Sequence, residues 1–354
     1  MNRSETIRWL REGDEAALAT LWQQADEARR RHVGDEVHLR GLIEISNHCG
    51  RDCHYCGIRH ANSGLKRYRM SEPEILDCVD QAASFGYGTV VLQSGEDYGI
   101  SARWMEGLIG KIKQRAPLAV TLSLGERQPD ELALWRAAGA DRYLLRFETS
   151  NRQLFKRIHP APRGRRRDRI DILRLLRKLG YEVGSGVMVG IPGQTYEDLA
   201  DDLELFARLD LDMIGMGPYV SHPQTPLGQK KSVEPAGRDE QAPNTELMTY
   251  KMIALARLAC PRANIPATTA LASLNPEQGR ELGLRRGANI VMPNLTPTQY
   301  RAIYEIYPGK VCLQENADDC RGCMGRRILS IGRSVGVGRG DARRPTVGEV
   351  KAKV

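Results

Sequence analysis

Residues 41–59 read GLIEISNHCGRDCHYCGIR, an apolar, strand-like run from Gly41 to Ser46 that leads directly into Cys49, Cys53 and Cys56, spaced Cys-x3-Cys-x2-Cys. Four protein ligands close the shell of a structural zinc site or an electron-transfer cluster, whereas three on one short loop leave a metal position open to a substrate or cofactor. A zinc site completed by a distant residue, or three merely buried thiols, is the competing reading of the same spacing. Tyr55, an aromatic directly before the third cysteine, weighs against it.

Outward from this stretch, strand-like runs alternate with helical patterns. The runs are 41–46, 89–94, 119–124, 142–147, 182–190, 212–218, 264–269 and 289–294; helical periodicity covers 72–85, 102–115, 129–138, 168–179, 196–209, 246–258 and 276–284. Such alternation predicts a parallel sheet with right-handed crossovers, and eight units predict closure into an α/β fold of the (β/α)8 TIM barrel type. The expected organisation is an N-terminal helical extension (1–40), the barrel (41–308) and a C-terminal extension (309–354) holding a second cysteine group. Segment 219–245, rich in Pro, Gly and charge, reads as a long βα loop, either a lid or substrate wall or a plain surface loop. The Gly/Arg-rich stretch 330–354 is expected to pack loosely.

Composition narrows the classes of function. Hydrophobic residues make up 41% of the 354, enough for a sizeable core, yet no stretch approaches the ~20 uninterrupted apolar residues of a membrane span. The N-terminal pattern is an amphipathic helix rather than a secretion signal, so a cytoplasmic protein is expected. In a reducing compartment the eight cysteines read as metal ligands and buried thiols, with Cys78 and Cys260 standing alone in helical segments. The net charge of +8 is concentrated in RRRH (29–32), RGRRRDR (163–169) and the Arg/Lys-rich end from Arg326 to Lys353. With 6% aromatic residues and no nucleic-acid module, these runs suit a solvated face, an anionic substrate or an acidic protein partner; neither nucleic acid nor a membrane is expected.

The cysteine loop resembles that of the radical S-adenosylmethionine (SAM) superfamily, in which three cysteines hold a [4Fe-4S] cluster and SAM chelates the fourth iron. The resemblance implies an enzyme that reductively cleaves SAM to a 5'-deoxyadenosyl radical. LQSGED (92–97), LSLGE (122–126), YLLRFET (143–149), MVGIPGQT (188–195), GPYVSHPQTPL (217–227), IPATTA (265–270), VMPNLTP (291–297) and KRYRMSEPEI (66–75) extend the likeness. Over about Gly41 to Met324 the chain resembles the [FeFe]-hydrogenase maturase family HydE. Position by position, the likeness assigns Glu148 and Arg169 to the amino and carboxylate ends of SAM, Tyr55, Ile191 and Gln194 to the adenine, and Ser123 to the ribose or methionyl part. Gln93, Thr121, Arg146, Thr268, Thr269, Met292, Tyr304 and Tyr307 match positions that line the substrate cavity; inward polar groups in a barrel must bind something or remain costly.

The implied substrate is a cysteine-bound Fe(CO)2CN precursor, made by a partner maturase and attacked at sulfur during assembly of the hydrogenase H-cluster. An electron donor is implied as a further, transient partner. Cys312, Cys320 and Cys323, spaced Cys-x7-Cys-x2-Cys, resemble an auxiliary [2Fe-2S] or [4Fe-4S] site of part of the family, against three reduced thiols as the alternative. Departures from the family pattern are Phe147, Tyr98-Gly99-Ile100 and the expanded 219–245 loop. Rival readings are a radical SAM enzyme on another small amino-acid or sulfur-containing substrate, like methylornithine synthase, and a non-catalytic iron-sulfur scaffold. A sulfur-donating cluster as in biotin synthase would need strand cysteines, and none of the eight runs contains one.

Overall fold

The computed structural model describes residues 1–161, 168–231, 233–237 and 239–343. Residues 163–167 of the central basic run and 344–354 of the C-terminal extension lie outside the described residues. Helices α1 (Arg3–Arg11) and α2 (Glu15–Val33) precede strand β1 (Glu36–Ser46), which begins ahead of the expected Gly41. Then follow α3 (Glu72–Ser84), β2 (Thr89–Ser94), α4 (Ala102–Arg115), β3 (Ala119–Ser123), α5 (Pro129–Ala137), β4 (Arg142–Leu144), α6 (Arg152–Ile158), α7 (Arg169–Lys178), β5 (Glu182–Val189), α8 (Tyr196–Arg208) and β6 (Met213–Pro218). The remainder comprises α9 (Glu246–Ala259), α10 (Thr269–Leu274), α11 (Gly279–Arg285), β7 (Ile290–Val291), α12 (Thr298–Arg301), α13 (Ala317–Ser330) and β8 (Ser334–Val335).

All strand pairs are parallel, in the order β6-β5-β4-β3-β2-β1-β7. The seventh expected run, 264–269, is a strand in position rather than in regular pairing. Ile214 N donates to Asn264 O (3.0 Å) on one side and Ala267 N to Ile290 O (2.9 Å) on the other, which closes the barrel. Pro266 has no N–H to extend that ladder, and Thr268 already stands at the N-cap position of α10, so the segment stays irregular.

Helix ends follow local chemistry. Ser71 with Glu74 and Thr195 with Asp198 form capping boxes at α3 and α8. The stripe Met105, Leu108, Ile109 and Ile112 fixes the buried face of α4. On the sheet, Val90, Leu92, Val120, Leu122, Tyr143, Leu145 and Phe147 belong to the core under the helices. By the two-residue period of a strand, Gln93, Thr121, Ser123, Arg146 and Glu148 therefore face the barrel interior.

The floor of the barrel corrects the expectation of a loose C-terminal stretch over its described part, 330–343. Beyond β8, which pairs with the start of β1, residues 338–342 cross the N-terminal end of the strands. Arg142 donates to Glu182 (2.6 Å), Thr89 Oγ1 (2.8 Å), Arg339 O (3.0 Å) and Asp341; Arg40 and Asn264 donate to Gly340 O at 2.9 and 3.0 Å. A Cβ on Gly88 would lie 1.7 Å from Gly338 O, so only glycine permits this approach. The buried polar residues of the floor need partners, and the segment supplies carbonyls and a carboxylate.

Candidate active site

The cysteine loop is anchored where β1 ends. Ser46 Oγ donates to Asp97 Oδ2 (2.7 Å), and Arg69 grips the same carboxylate at 2.7 and 2.9 Å. The Asn47 side chain donates to Lys66 O (2.9 Å) and Ile303 O (2.7 Å) while accepting from Tyr68 N (2.7 Å). Farther along, Gly50 N donates to Glu96 O (2.9 Å), His54 N to Ile158 O (2.8 Å) and Gly57 N to Ile306 O (3.0 Å). At Gly57 a Cβ would sit 2.2 Å from Glu305 O and 2.5 Å from His222 Nε2.

Burial pushes all three thiols up, Cys56 to about 12, so holding them as thiolates calls for a positive centre. Glu96 N donates to Cys49 Sγ (3.4 Å), and His159 Nδ1 lies 3.0 Å from Cys53 Sγ. Among the described residues, no three ligating side chains converge as donors to one ion would. Three thiolates on one loop are the donor set for three irons of a [4Fe-4S] cluster, with the fourth iron left open.

Around the loop stand the residues expected at SAM. Glu148 is buried, with its φ of +62° in the left-handed region, and is held by hydrogen bonds to Gly186 O (3.0 Å) and from Met188 N (3.1 Å). That strain, of order 1–3 kcal/mol, turns its carboxylate back toward Arg146 Nε at 3.1 Å. Tyr55 packs with Ile191, Leu154, Ile158 and Leu227 in one apolar cluster, and its hydroxyl lies 3.1 Å from His159 Nδ1.

Gln194 is fully buried, and its side chain is committed to its own loop. It accepts from Gly190 N (2.7 Å) and Ile191 N (3.2 Å) and donates to Met188 O (3.1 Å) and Asp202 (3.4 Å). Asp202 also accepts from Ser150 N (2.5 Å), which ties the ends of β4 and β5 together. Ser123 closes β3 opposite Gln93.

Arg169 opens α7 and donates to Glu126 (2.9 Å) and Arg146 O (2.5 Å), with His159 Nε2 at 2.8 Å from its remaining nitrogen. With Arg51, Glu96 and Glu126 it forms a buried, self-neutralising quartet whose other contacts run from 3.5 to 3.7 Å. A carboxylate reaching Arg169 would therefore displace Glu126. Arg51 Nε is buried without a partner.

In the interior, Gln93 Nε2 donates to the Tyr304 hydroxyl (3.3 Å), and the hydroxyls of Thr121 and Thr268 are buried with no partner among the described residues. Arg146, 30% exposed at its side chain, donates to Val187 O (2.7 Å). Burial lifts Tyr307 to about 12. Thr269 and Met292 line a small cavity of about 10 Å³, room for about one water, beside Lys310, Arg280, Cys312 and Cys320. Cys312 and Cys320 share a hydrogen bond that, with Arg280, lowers the Cys312 thiol. Cys323 lies three residues beyond Cys320 on α13 and packs against the core.

Several contributors went unassigned in the sequence. Arg51, Glu96 and Glu126 lay inside quoted motifs, as charges at strand ends. His159, at the end of α6, carried no such signal. Inward-facing Glu44 pairs with Lys310 and accepts from Asn294 (3.0 Å). Of the departures, Phe147 packs on Phe206 (5.6 Å) on the helix side, away from the interior; Tyr98 donates to Glu96 (2.6 Å). The 219–245 loop contributes Leu227 to the Tyr55 cluster and His222, 3.1 Å from Glu305, to the junction at Gly57.

Comparison with known proteins bears on this arrangement. Residues 43–206 match the radical SAM superfamily. The chain is 45% identical, over 92% of its length and 89% of the relative's, to the [FeFe] hydrogenase maturase subunit HydE of Thermotoga maritima. It is 28% identical to 3-methylornithine synthase of Methanosarcina acetivorans over 78% of this chain and 75% of that one. A crystal structure of methylornithine synthase superposes with a TM-score of 0.80 at 24% identity, covering 100% of this chain and 96% of that one.

Proposed function

Because the chain belongs to the radical SAM superfamily, as a member of its HydE family of [FeFe]-hydrogenase maturases, we propose that it acts on a cysteine-bound Fe(CO)2CN precursor during assembly of the hydrogenase H-cluster. The observation that carries this reading is the three-cysteine loop at the end of β1 meeting Tyr55, Glu148 and Arg169 in one barrel mouth; Tyr55 lies within electrostatic reach of Cys53, Glu148 and Arg169. Bound there, a [4Fe-4S] cluster and SAM supply one-electron cleavage of the sulfonium to methionine and a 5'-deoxyadenosyl radical.

The chain's own residues bind, orient and exclude. Tyr55 and Ile191 offer an apolar face to the adenine, and Gln194 fixes the main chain that carries Ile191. Glu148 receives the SAM ammonium, Arg169 exchanges Glu126 for its carboxylate, and Ser123 approaches the ribose. Gln93, Tyr304 and the unpartnered hydroxyls of Thr121 and Thr268 orient the substrate, with Arg146 facing its anionic ligands and Thr269, Met292 and Tyr307 completing the wall. The buried side chains Tyr219, His222 and Leu227 of the 219–245 loop, with the floor segment, keep water and stray hydrogen donors out, so catalysis is positioning and exclusion. Cys312, Cys320 and Cys323 hold an auxiliary iron-sulfur site.

The test is anaerobic reconstitution with iron and sulfide, followed by reduction, addition of SAM and measurement of 5'-deoxyadenosine and adenosylated product with and without the precursor. Precursor-dependent SAM consumption with an adenosylated product supports the maturase reading. Precursor-indifferent 5'-deoxyadenosine refutes the substrate and leaves another small sulfur-containing or amino-acid substrate. In Arg169→Ala, loss of turnover with the cluster retained separates an enzyme from a scaffold.

A further inference from the structure

Each SAM cleaved requires one electron, and the barrel interior that faces the cysteine loop is the binding cavity, closed below by residues 338–342. The electron must reach the loop from outside. On that outer side His54, next to Cys53, is clamped between two segments: its N–H donates to Ile158 O (2.8 Å) at the end of α6, and its carbonyl accepts from Leu227 N (3.0 Å). Both segments present exposed cations beside the clamp. α6 ends in Lys156 and Arg157; Lys230 and Lys231 follow Leu227, their N–H groups bonded to Leu227 O (3.0 Å) and Pro226 O (2.8 Å).

None of these four cations forms an ion pair among the described residues. Some exposed cations elsewhere are paired, as in Arg3 with Asp201 (2.9 Å), Arg11 with Glu240 (2.8 Å) and Arg103 with Glu106 (2.8 Å), and others such as Lys66 and Arg208 are not; what sets the four apart is their place on the two segments that hold His54. The acid on the loop itself, Asp52, is taken by Ala61 N (2.7 Å) and Arg59 (3.6 Å). Unpaired like charges on two segments gripping one loop sum into a local positive potential, which attracts an acidic partner and orients it on approach.

We propose that this rim, Lys156, Arg157, Lys230 and Lys231, is the docking surface for an acidic one-electron carrier protein that delivers its electron across the cysteine loop. The proposal rests on the radical SAM reading above. The carrier is oxidised by one electron, and that electron is consumed in breaking the carbon–sulfur bond of SAM.

The test compares reconstituted wild-type protein with the variant Lys156→Glu/Arg157→Glu/Lys230→Glu/Lys231→Glu, using a reduced flavodoxin or dithionite as the electron source. With flavodoxin at low ionic strength the variant should make 5'-deoxyadenosine about tenfold or more slowly, whereas with dithionite the two should agree within about twofold. Calorimetric titration of flavodoxin into each protein should show binding about tenfold weaker in the variant, and wild-type binding should weaken as salt rises. Equal flavodoxin rates and affinities overturn the docking surface. No SAM cleavage by wild-type protein with dithionite overturns the radical SAM reading instead. If the charge-reversed variant fails with both reductants, the neutral set Lys156→Gln/Arg157→Gln/Lys230→Gln/Lys231→Gln decides: an intact dithionite rate with a slowed flavodoxin rate supports the surface, and two intact rates overturn it.

Discussion

Replacing Lys310 by Met should destabilise the protein by several kcal/mol, because it breaks a buried ion pair from one side. Glu44 is 1% exposed and Lys310 8%, so the variant strands a carboxylate in the barrel wall with Asn294 as its one remaining side-chain donor among the described residues. Breaking a buried pair by removing one partner costs about 3–5 kcal/mol. Denaturant unfolding of the metal-free proteins at pH 7 checks this, with Glu44→Gln/Lys310→Met expected to regain most of the loss. A penalty below about 1 kcal/mol would refute the reasoning.

Gln194→Ala leaves Gly190 N, Ile191 N and Met188 O without their partner; at about 1–3 kcal/mol for each group left unpaired, a loss of about 3 kcal/mol and weaker SAM binding are expected from denaturation and SAM titration. Burial pushes the Asp202 carboxyl up to about 8, above its unfolded value, so its contribution is present below about pH 4 and lost as pH rises toward 8. Asp202→Asn should therefore gain on the wild type with rising pH, by at most about 1.4 kcal/mol per unit, and a pH-independent difference would rule this out. Gly57→Ala drives a methyl into Glu305 O and His222 and should lower the iron retained after reconstitution, read by metal analysis. Cys320→Ser should reduce bound iron while dithionite-driven SAM cleavage persists; unchanged iron content would remove the auxiliary site.

The strands were legible because alternation of apolar and polar residues within short runs is a local signal, and each run closes on a turn or cap that is local too. Helix α6 escaped notice: it is seven residues long, below the length at which periodicity speaks, although Asn151 as its N-cap was a usable sign. The floor segment was misread because Gly and Arg look like solvent-facing chain, and its order comes from Arg142, Thr89 and Asn264, far away in sequence. Within the site, the placement of the cysteine loop after β1 and of Glu148 beyond β4 could be read from motif and position. What could not be read was that Arg169 shares its guanidinium with Glu126, or that Gln194 serves its own loop, since both depend on which side chains face each other after folding.

The floor has a consequence for the order in which the chain is built. Residues 338–342 join strands β1 and β4 and the closing segment at Asn264, yet they are translated after all of them. A nascent barrel leaving the ribosome thus carries Arg40 and Arg142 at an open lower end, without the carbonyls that will receive them. Barrel completion waits until residues 338–342 have been made, and until then the unfinished chain exposes apolar and unpaired surface of the kind that chaperones bind.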